Sequence, residues 1–197
     1  MNMLKLFLIK TILFGYLIAF FLSSSYGTTK ERYIIDTSHS SVEFSIRHFV
    51  AKTNGNFSTF EGYIDIDAND PTRNYTEAQI SIKSIDTNSS KRDAHLQDAE
   101  YFNSSKNPLI KFRSTNWEEN QVKDKFLVDG ILTMNGVSKT VTLDVTLLGL
   151  GEGFNGQKLS GWEATTTLDR TDWNILGGLG AVGEMVDVRI NIEAYKE

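Results

Sequence analysis

The stretch Asp36-Thr-Ser-His-Ser-Ser-Val-Glu-Phe-Ser-Ile-Arg-His48 decides how the chain is read. Val42, Phe44 and Ile46 alternate with Glu43, Ser45 and Arg47, so an extended backbone puts three apolar side chains on one face and three polar ones on the other. That is the pattern of a half-buried strand. Downstream come Gly55-Asn-Phe57, Phe60-Glu-Gly62 and Tyr63-Ile-Asp-Ile-Asp67. Asn54-Gly55 is a turn signal and Gly62, Ile64 and Ile66 alternate behind it, which predicts a hairpin closed at Asn54-Gly55, with Gly62 at a curved or closely approached point.

The rest of the chain repeats this plan. Tyr33-Ile-Ile35 is a short apolar start. Beyond the Asp70-Pro71 turn, Ala78, Ile80 and Ile82 predict a strand from Tyr75 to Ile85. The segment from Ser89 to Asp98 has capping-type serines and no alternation, which predicts the one helix of the domain, lying over one end and held down by Tyr101-Phe102. Strand patterns return at Ile110, Phe112 and Ser114, and again in the run from Val122 to Met134 with Phe126, Val128, Gly130 and Leu132 on one face. Asn135-Gly136 then predicts a type I′ hairpin turn, because both central residues need positive φ. Val141, Leu143, Val145 and Leu147 follow, then Lys158 to Leu168, then Glu184 to Glu193. About eight antiparallel strands result, and Pro71 and Pro108 both fall at strand borders. Such a sheet stacks as a sandwich or closes as a barrel. The Val122–Met134 run, about 40 Å at about 3.3 Å per residue, favours a tall barrel, so the expected fold is an all-β, antiparallel, eight-stranded barrel with one short helix covering an end.

The 197 residues suffice for one domain and a leader. Lys5 and Lys10 precede the uncharged run from Thr11 to Leu22, followed by Ser23-Ser-Ser25 and Tyr26-Gly27. These are the three parts of a secretory signal peptide over residues 1–27, with cleavage after Gly27 and a domain over 28–197. The competing reading is an uncleaved membrane anchor. Removing residues 1–27 takes two lysines from the 20 basic side chains and none of the 25 acidic ones, leaving a formal net charge of −7. An acidic domain without a basic run argues against nucleic acid as a partner. With no cysteine, disulfides, thiolate metal sites, Cys nucleophiles and lipidation at an N-terminal Cys are all excluded.

His39, His48 and His95, with Asp36, are metal-ligand types, but none has the His-x-His or His-x-x-x-His spacing that fixes two ligands on one element. No metal is expected. Asp36 instead caps the loop before the strand through backbone amides, with His39 hydrogen-bonded there. His48 continues the face of Val42, Phe44 and Ile46, so it is either a polar group at a cavity mouth or a plain rim residue. Arg92-Asp93-x-His95 contains acid-base types, yet no Gly-x-Ser-x-Gly elbow accompanies it, and a docked lid held by ion pairs is the simpler reading. Arg47 and Lys139 read as solvated strand residues. Gly177-Gly178-Leu-Gly180 lacks the Lys and the strand-to-helix setting of a phosphate loop and suits a loop near a barrel mouth. Neither catalytic residues nor a cofactor are expected.

Several ordered motifs resemble the YceI-like family. They are Asp36-x-x-His39-Ser40 with Val42-x-Phe44-x-Ile46-x-His48, Gly55-x-Phe57-x-x-Phe60-x-Gly62, Arg92-Asp-x-His95-Leu96 and Pro108-x-Ile-x-Phe112-x-Ser114. Gly130-x-Leu132-Thr133-x-x-Gly136-Val-x-Lys139, Arg170-Thr-Asp172 and Val182-Gly183-Glu-x-Val186 complete the set. The resemblance runs from about Tyr33 to Ala194. Two departures stand out: Trp173-Asn174 where the family shows an aromatic and Gly, which predicts a left-handed Asn174, and Tyr101-Phe102-Asn103 where it ends Phe-Phe-Asp.

The resemblance implies a lipocalin-like barrel, exported to the bacterial periplasm, that holds a polyisoprenoid lipid or isoprenoid quinone for carriage or sequestration and is not an enzyme. Periodicity alone leaves the apolar stripes as ordinary core or as cavity wall; the resemblance makes them the wall. The implied tunnel lining is Val42, Phe44, Ile46, His48, Phe57, Phe60, Ile64, Ile66, Ile80, Ile82, Ile110, Phe112, Phe126, Val128 and Leu132. The alternatives are an enzyme acting on a lipid in the same pocket, with His48 or His95 as acid-base, and a binder of fatty acids or other amphiphiles. A homodimer is left open.

Overall fold

Alternating side chains become a ring of strands in the computed structural model, which describes residues 30–197; the predicted leader lies outside the described residues. In chain order the strands are β1 (Glu31–Ile35), β2 (Ser41–His48), β3 (Ala51–Phe57), β4 (Phe60–Ile66), β5 (Tyr75–Ser81) and β6 (Ile85–Asp86). After the helix α1 (Ser90–Leu96) come β7 (Leu109–Glu119), β8 (Lys125–Met134), β9 (Val137–Glu152), β10 (Lys158–Asp169) and β11 (Val182–Lys196). Every named strand pairing is antiparallel. Taken with their continuations, β1 and β2, β3 and β4, and β5 and β6 form three broken staves. With β7 to β11 they make a closed eight-stave barrel of up-and-down order. Pairing of β1 with β11 closes the ring, while toward the mouth β3 before Asn56 pairs only with β2 and β6 only with β3.

The seam is where β11 meets the first stave. Its upper part pairs with β2, from Val186 opposite Ile46 to Asn191 opposite Ser41, and its end pairs with β1, from Ala194 opposite Ile35 to Lys196 opposite Tyr33. Between these ladders the chain loops out over Asp36–Ser40. The amide of Asp36 donates to the Glu193 carbonyl at 2.9 Å, and the Glu193 amide donates to Ser40 Oγ at 3.0 Å, so a hydroxyl stands in for the missing ladder partner. Asp36 caps the loop as expected: Oδ1 accepts from the Ser38 amide at 2.9 Å and from Ser38 Oγ at 2.5 Å, and Oδ2 lies 2.9 Å from His39 Nδ1. The other two staves break beside it, at Ser58-Thr59 and at the 3₁₀ turn Ile82–Ser84, and the breaks are stitched by Thr59 N donating to Ser84 Oγ at 3.0 Å and Ser81 N donating to the Thr59 carbonyl at 2.9 Å. A crease thus crosses the wall, and the strand expected to run unbroken from Tyr75 to Ile85 is interrupted by it.

Two further expectations are corrected. The opening hairpin turns at Phe49-Val50, where His48 pairs with Ala51, and not at Asn54-Gly55, which lies within β3. Gly55 is there for close approach: a Cβ on it would stand 2.4 Å from Cζ of Phe44 on the neighbouring strand. The partner of β2 is therefore β3, while β4 pairs with β1 and β5. The run from Val122 does not begin a strand either, because the Lys125 amide donates to the Val122 carbonyl and Asp124 has φ 63°, so β8 starts only at Lys125. Other local readings hold. Asn135 and Gly136 have φ of 48° and 75° in a two-residue turn, Asn174 is left-handed at φ 56°, and Ser89 caps α1 by accepting from the Arg92 amide. Gly62 is closely approached, its Cβ position falling 2.5 Å from the Glu77 carbonyl oxygen.

The seam loop has a pH signature. Hydrogen bonds from Ser38 and His39 hold the Asp36 carboxyl down at about 2, and the Asp36 carboxylate, with Glu193 beyond it, raises His39 above its ordinary value. A raised His contributes stability that is full below its unfolded value of about 6.5 and is lost as pH rises through the folded one. A depressed Asp contributes above about 3.9 and loses it as pH falls toward its folded value. The melting temperature of the protein should therefore exceed that of His39→Gln most near pH 5 to 6, with the gap narrowing on both sides; a gap that widens above pH 8 contradicts this reading.

Candidate functional site

The interior of an eight-stave ring is just wide enough for side chains to fill or for one slender ligand, and this chain does one at each end. At the closed end Trp117, Phe126 and Trp162 meet edge to face or tilted, with centroids 5.6 to 6.2 Å apart, and Ile64, Val128 and Val145 complete a buried floor. Above it the lumen is a cavity of about 780 Å³, within the range of about 300 to 1,000 Å³ usual for small-molecule sites. Leu132, Leu143, Leu168, Val188, Ile190 and Ile192 are on its wall and are only half-buried, although they point inward. Their remaining accessible surface faces the cavity.

Two glycines explain why the lumen stays open. The Phe44 ring covers Gly55, its register partner on β3, and the Phe112 ring covers Gly130 on β8, where a Cβ would fall 2.3 Å from the ring. Each ring fills the space of the missing side chain and so forms wall instead of plug. Around the mouth the lining turns polar, with Thr53, Thr87, Ser89, Lys91, Arg92 and His95 joining His48. The helix is clamped over this end through buried Thr87: Asp93 Oδ1 accepts from the Thr87 amide at 2.9 Å, and Arg92 Nε donates to Thr87 Oγ1 at 2.8 Å. His95 Nε2 lies 2.8 Å from Glu100 Oε1, and its ring packs edge-on against Tyr101. Tyr101 and Phe102 pack onto the core beneath, as expected. Arg92, Asp93 and His95 are thus engaged with their own lid.

Of the expected lining, Val42, Phe44, Ile46, His48, Phe57, Phe60, Ile64, Ile80, Ile110, Phe112 and Leu132 are on the cavity wall. Phe126 and Val128 are in the floor, and Ile66 packs against it, because they point inward at the closed end. Ile82 is wholly buried in the crease turn, where backbone geometry takes it out of the strand alternation. The sequence reading missed the walls supplied by β9, β10 and β11, such as Val141, Leu168 and Ile190, although those strands carry the same alternation.

It also missed Arg170. This buried side chain donates from Nη1 to the carbonyls of Ile175 at 2.7 Å and Gly177 at 2.8 Å, from Nε to Gly183 at 2.8 Å and from Nη2 to Val182 at 3.2 Å. One guanidinium organises the glycine-rich loop that borders the mouth, a task the five-donor fork suits and an ammonium does not. The available signal was that Arg170 is the sole basic residue between Lys158 and Arg189, beside a loop rich in glycine carbonyls. Lys139 is a solvated strand residue as expected, and it pairs with Asp172 at 3.3 Å. Arg47 is exposed as expected. Among the described residues Asp36, His39 and Glu193 bring ligand-type atoms within 4.8 Å of one another, on the seam and in the hydrogen bonds described above.

Fold and site together define an up-and-down β-barrel with one blind, apolar lumen and a polar, helix-covered mouth. The chain belongs to the YceI-like domain family, whose model matches residues 33–194. A UPF0312 protein of Photorhabdus laumondii is 36% identical over 160 residues, covering 81% of this chain and 82% of the relative. Among solved structures, BcnA of Burkholderia cenocepacia superposes with a TM-score of 0.74 at 20% identity, covering 81% of this chain and 99% of its own. A polyisoprenoid binding domain from Saccharophagus degradans, implicated in plant cell wall breakdown, does so at 0.65 and 12% identity, covering 86% and 100%.

Two substitutions test this construction. Gly55→Ala should push the Phe44 ring into the lumen, shrinking the cavity while leaving a folded barrel; a crystal structure of the variant with the ring unmoved contradicts the wall argument. Arg170→Lys should destabilise by about 2 to 4 kcal/mol and speed amide exchange over residues 175–183, read by urea unfolding and hydrogen exchange.

Proposed function

We propose that the protein is a non-enzymatic carrier or sequestering protein for a polyisoprenoid lipid, of the quinone or polyprenyl phosphate type, exported to the periplasm behind a cleaved leader. The observation that carries the reading is the cavity of about 780 Å³ whose inward apolar side chains remain unfilled. Leaving such surface against water forgoes about 25 cal/mol per Å² that a buried hydrocarbon chain recovers. A branched, flexible prenyl chain suits a lumen walled by rings and branched aliphatics and ending blind on tryptophans. Family membership and the fold likeness to a polyisoprenoid binding domain support the same class of ligand. The polar mouth with His48, Lys91 and His95 suits a head group left near water. The hydrogen bonds that tie Arg92, Asp93 and His95 to the lid favour binding over catalysis.

Mass spectrometry of organic extracts of the purified native protein should find a prenyl lipid near one per chain. Ile190→Trp, which fills the lumen from β11, should lower that yield several-fold with the melting temperature kept. An extract holding fatty acids or another amphiphile instead overturns the ligand assignment, and conversion of the bound lipid that stops in His48→Ala or His95→Ala overturns the non-enzymatic one.

A further inference from the structure

Beside the mouth, large apolar side chains stand in water. Val50 is 93% exposed and Phe49 62% at the β2–β3 turn, and Leu176 and Leu179 are each 49% exposed on the glycine-rich loop. The backbone joins these pieces into one rim. The Phe49 amide donates to the Ala181 carbonyl at 3.0 Å, and the amides of Leu176 and Gly177 donate to the Glu100 carbonyl at 3.1 and 2.9 Å, next to Tyr101 on the cavity wall. Each exposed side chain is a near neighbour in sequence of a lining one: His48 precedes Phe49, Ile175 precedes Leu176, and Val182 bridges to Leu179.

Phe49 is the more telling because its backbone sits at φ 46°, a left-handed conformation that Asn or Gly adopts cheaply and a bulky aromatic does not. Its ring packs edge-on against the His48 imidazole, with centroids 4.8 Å apart, and otherwise stands in water. We infer that the rim of Phe49, Val50, Leu176 and Leu179 inserts into the interfacial layer of a lipid bilayer, seating the cavity mouth on the membrane so that a lipid passes between bilayer and lumen without crossing water. The inference rests on the carriage reading for its purpose, but its evidence is the rim. A bilayer is favoured as the occupant because the apolar side chains are continuous with the mouth of an apolar cavity, and aromatic and aliphatic side chains on projecting turns suit the head-group boundary.

The test is flotation of the purified protein with vesicles of phosphatidylethanolamine and phosphatidylglycerol, alongside two variants. The protein should rise with the vesicles, and Phe49→Asn combined with Val50→Ser should cut the bound fraction about tenfold or more. The double variant should melt no lower than the parent, since Asn relieves the φ of the turn, and should keep its extracted lipid. Phe154→Ser, at an exposed phenylalanine on the β9–β10 hairpin, should float like the parent. A parent that stays in solution, a double variant that floats undiminished, or loss of flotation in Phe154→Ser overturns the inference. Vesicle binding that depends on Phe49 and Val50 in a protein whose extract holds no prenyl lipid would sink the carriage reading and leave the docking surface standing.

Discussion

Closure of the ring at β11 is the constraint on which everything else depends. A ring of eight staves has a lumen of nearly fixed width, so what is left to the sequence is how to fill it. Closure is not trivial here, because the first stave is broken and β11 must pair with its two halves in turn. Ser40 and Asp36 patch the gap at Glu193, and His39 steadies Asp36. The same residues that are metal-ligand types on paper stitch the seam in the fold.

Given that width, residue size sets the use of each level. Three large aromatics at one end consume the lumen. At the other end the two rings that could have done the same lie over Gly55 and Gly130 and leave it open. The crease across the first three staves then frees the chain after β6 to form α1 over the open end, tied to the crease by Gln97 Nε2 donating to the Ile82 carbonyl at 3.2 Å. Arg170 fixes the facing loop by its carbonyls. The lid and the loop are thus held by polar contacts, while the lumen between them is apolar.

The number of staves, the helix and the Asn135-Gly136 turn were legible because each rests on a local rule: alternation, capping, positive φ. The turn at Phe49-Val50 was not, since no turn chemistry favours Phe-Val and Asn54-Gly55 offered a stronger false signal; only the packing of Phe44 on Gly55 reveals what that glycine is for. Alternation tells which side of a strand a residue faces but not its height in the barrel. Phe112 and Phe126 therefore read alike in sequence, though one is wall and the other floor. Ile82 departs from its stripe because a 3₁₀ turn rotates it out, a consequence of crease hydrogen bonds between residues far apart in the chain. Arg170 was hidden because its partners are backbone carbonyls, which leave no mark on side-chain patterns.

The central claim, that the open half of the lumen exists to hold a long apolar chain, is tested most directly by a crystal structure of the protein purified without detergent or refolding. Continuous elongated density should then run from the polar mouth past Phe44 and Phe112 and stop above Trp117. A lumen collapsed so that Leu132, Leu143 and Ile190 touch one another across it would contradict the account.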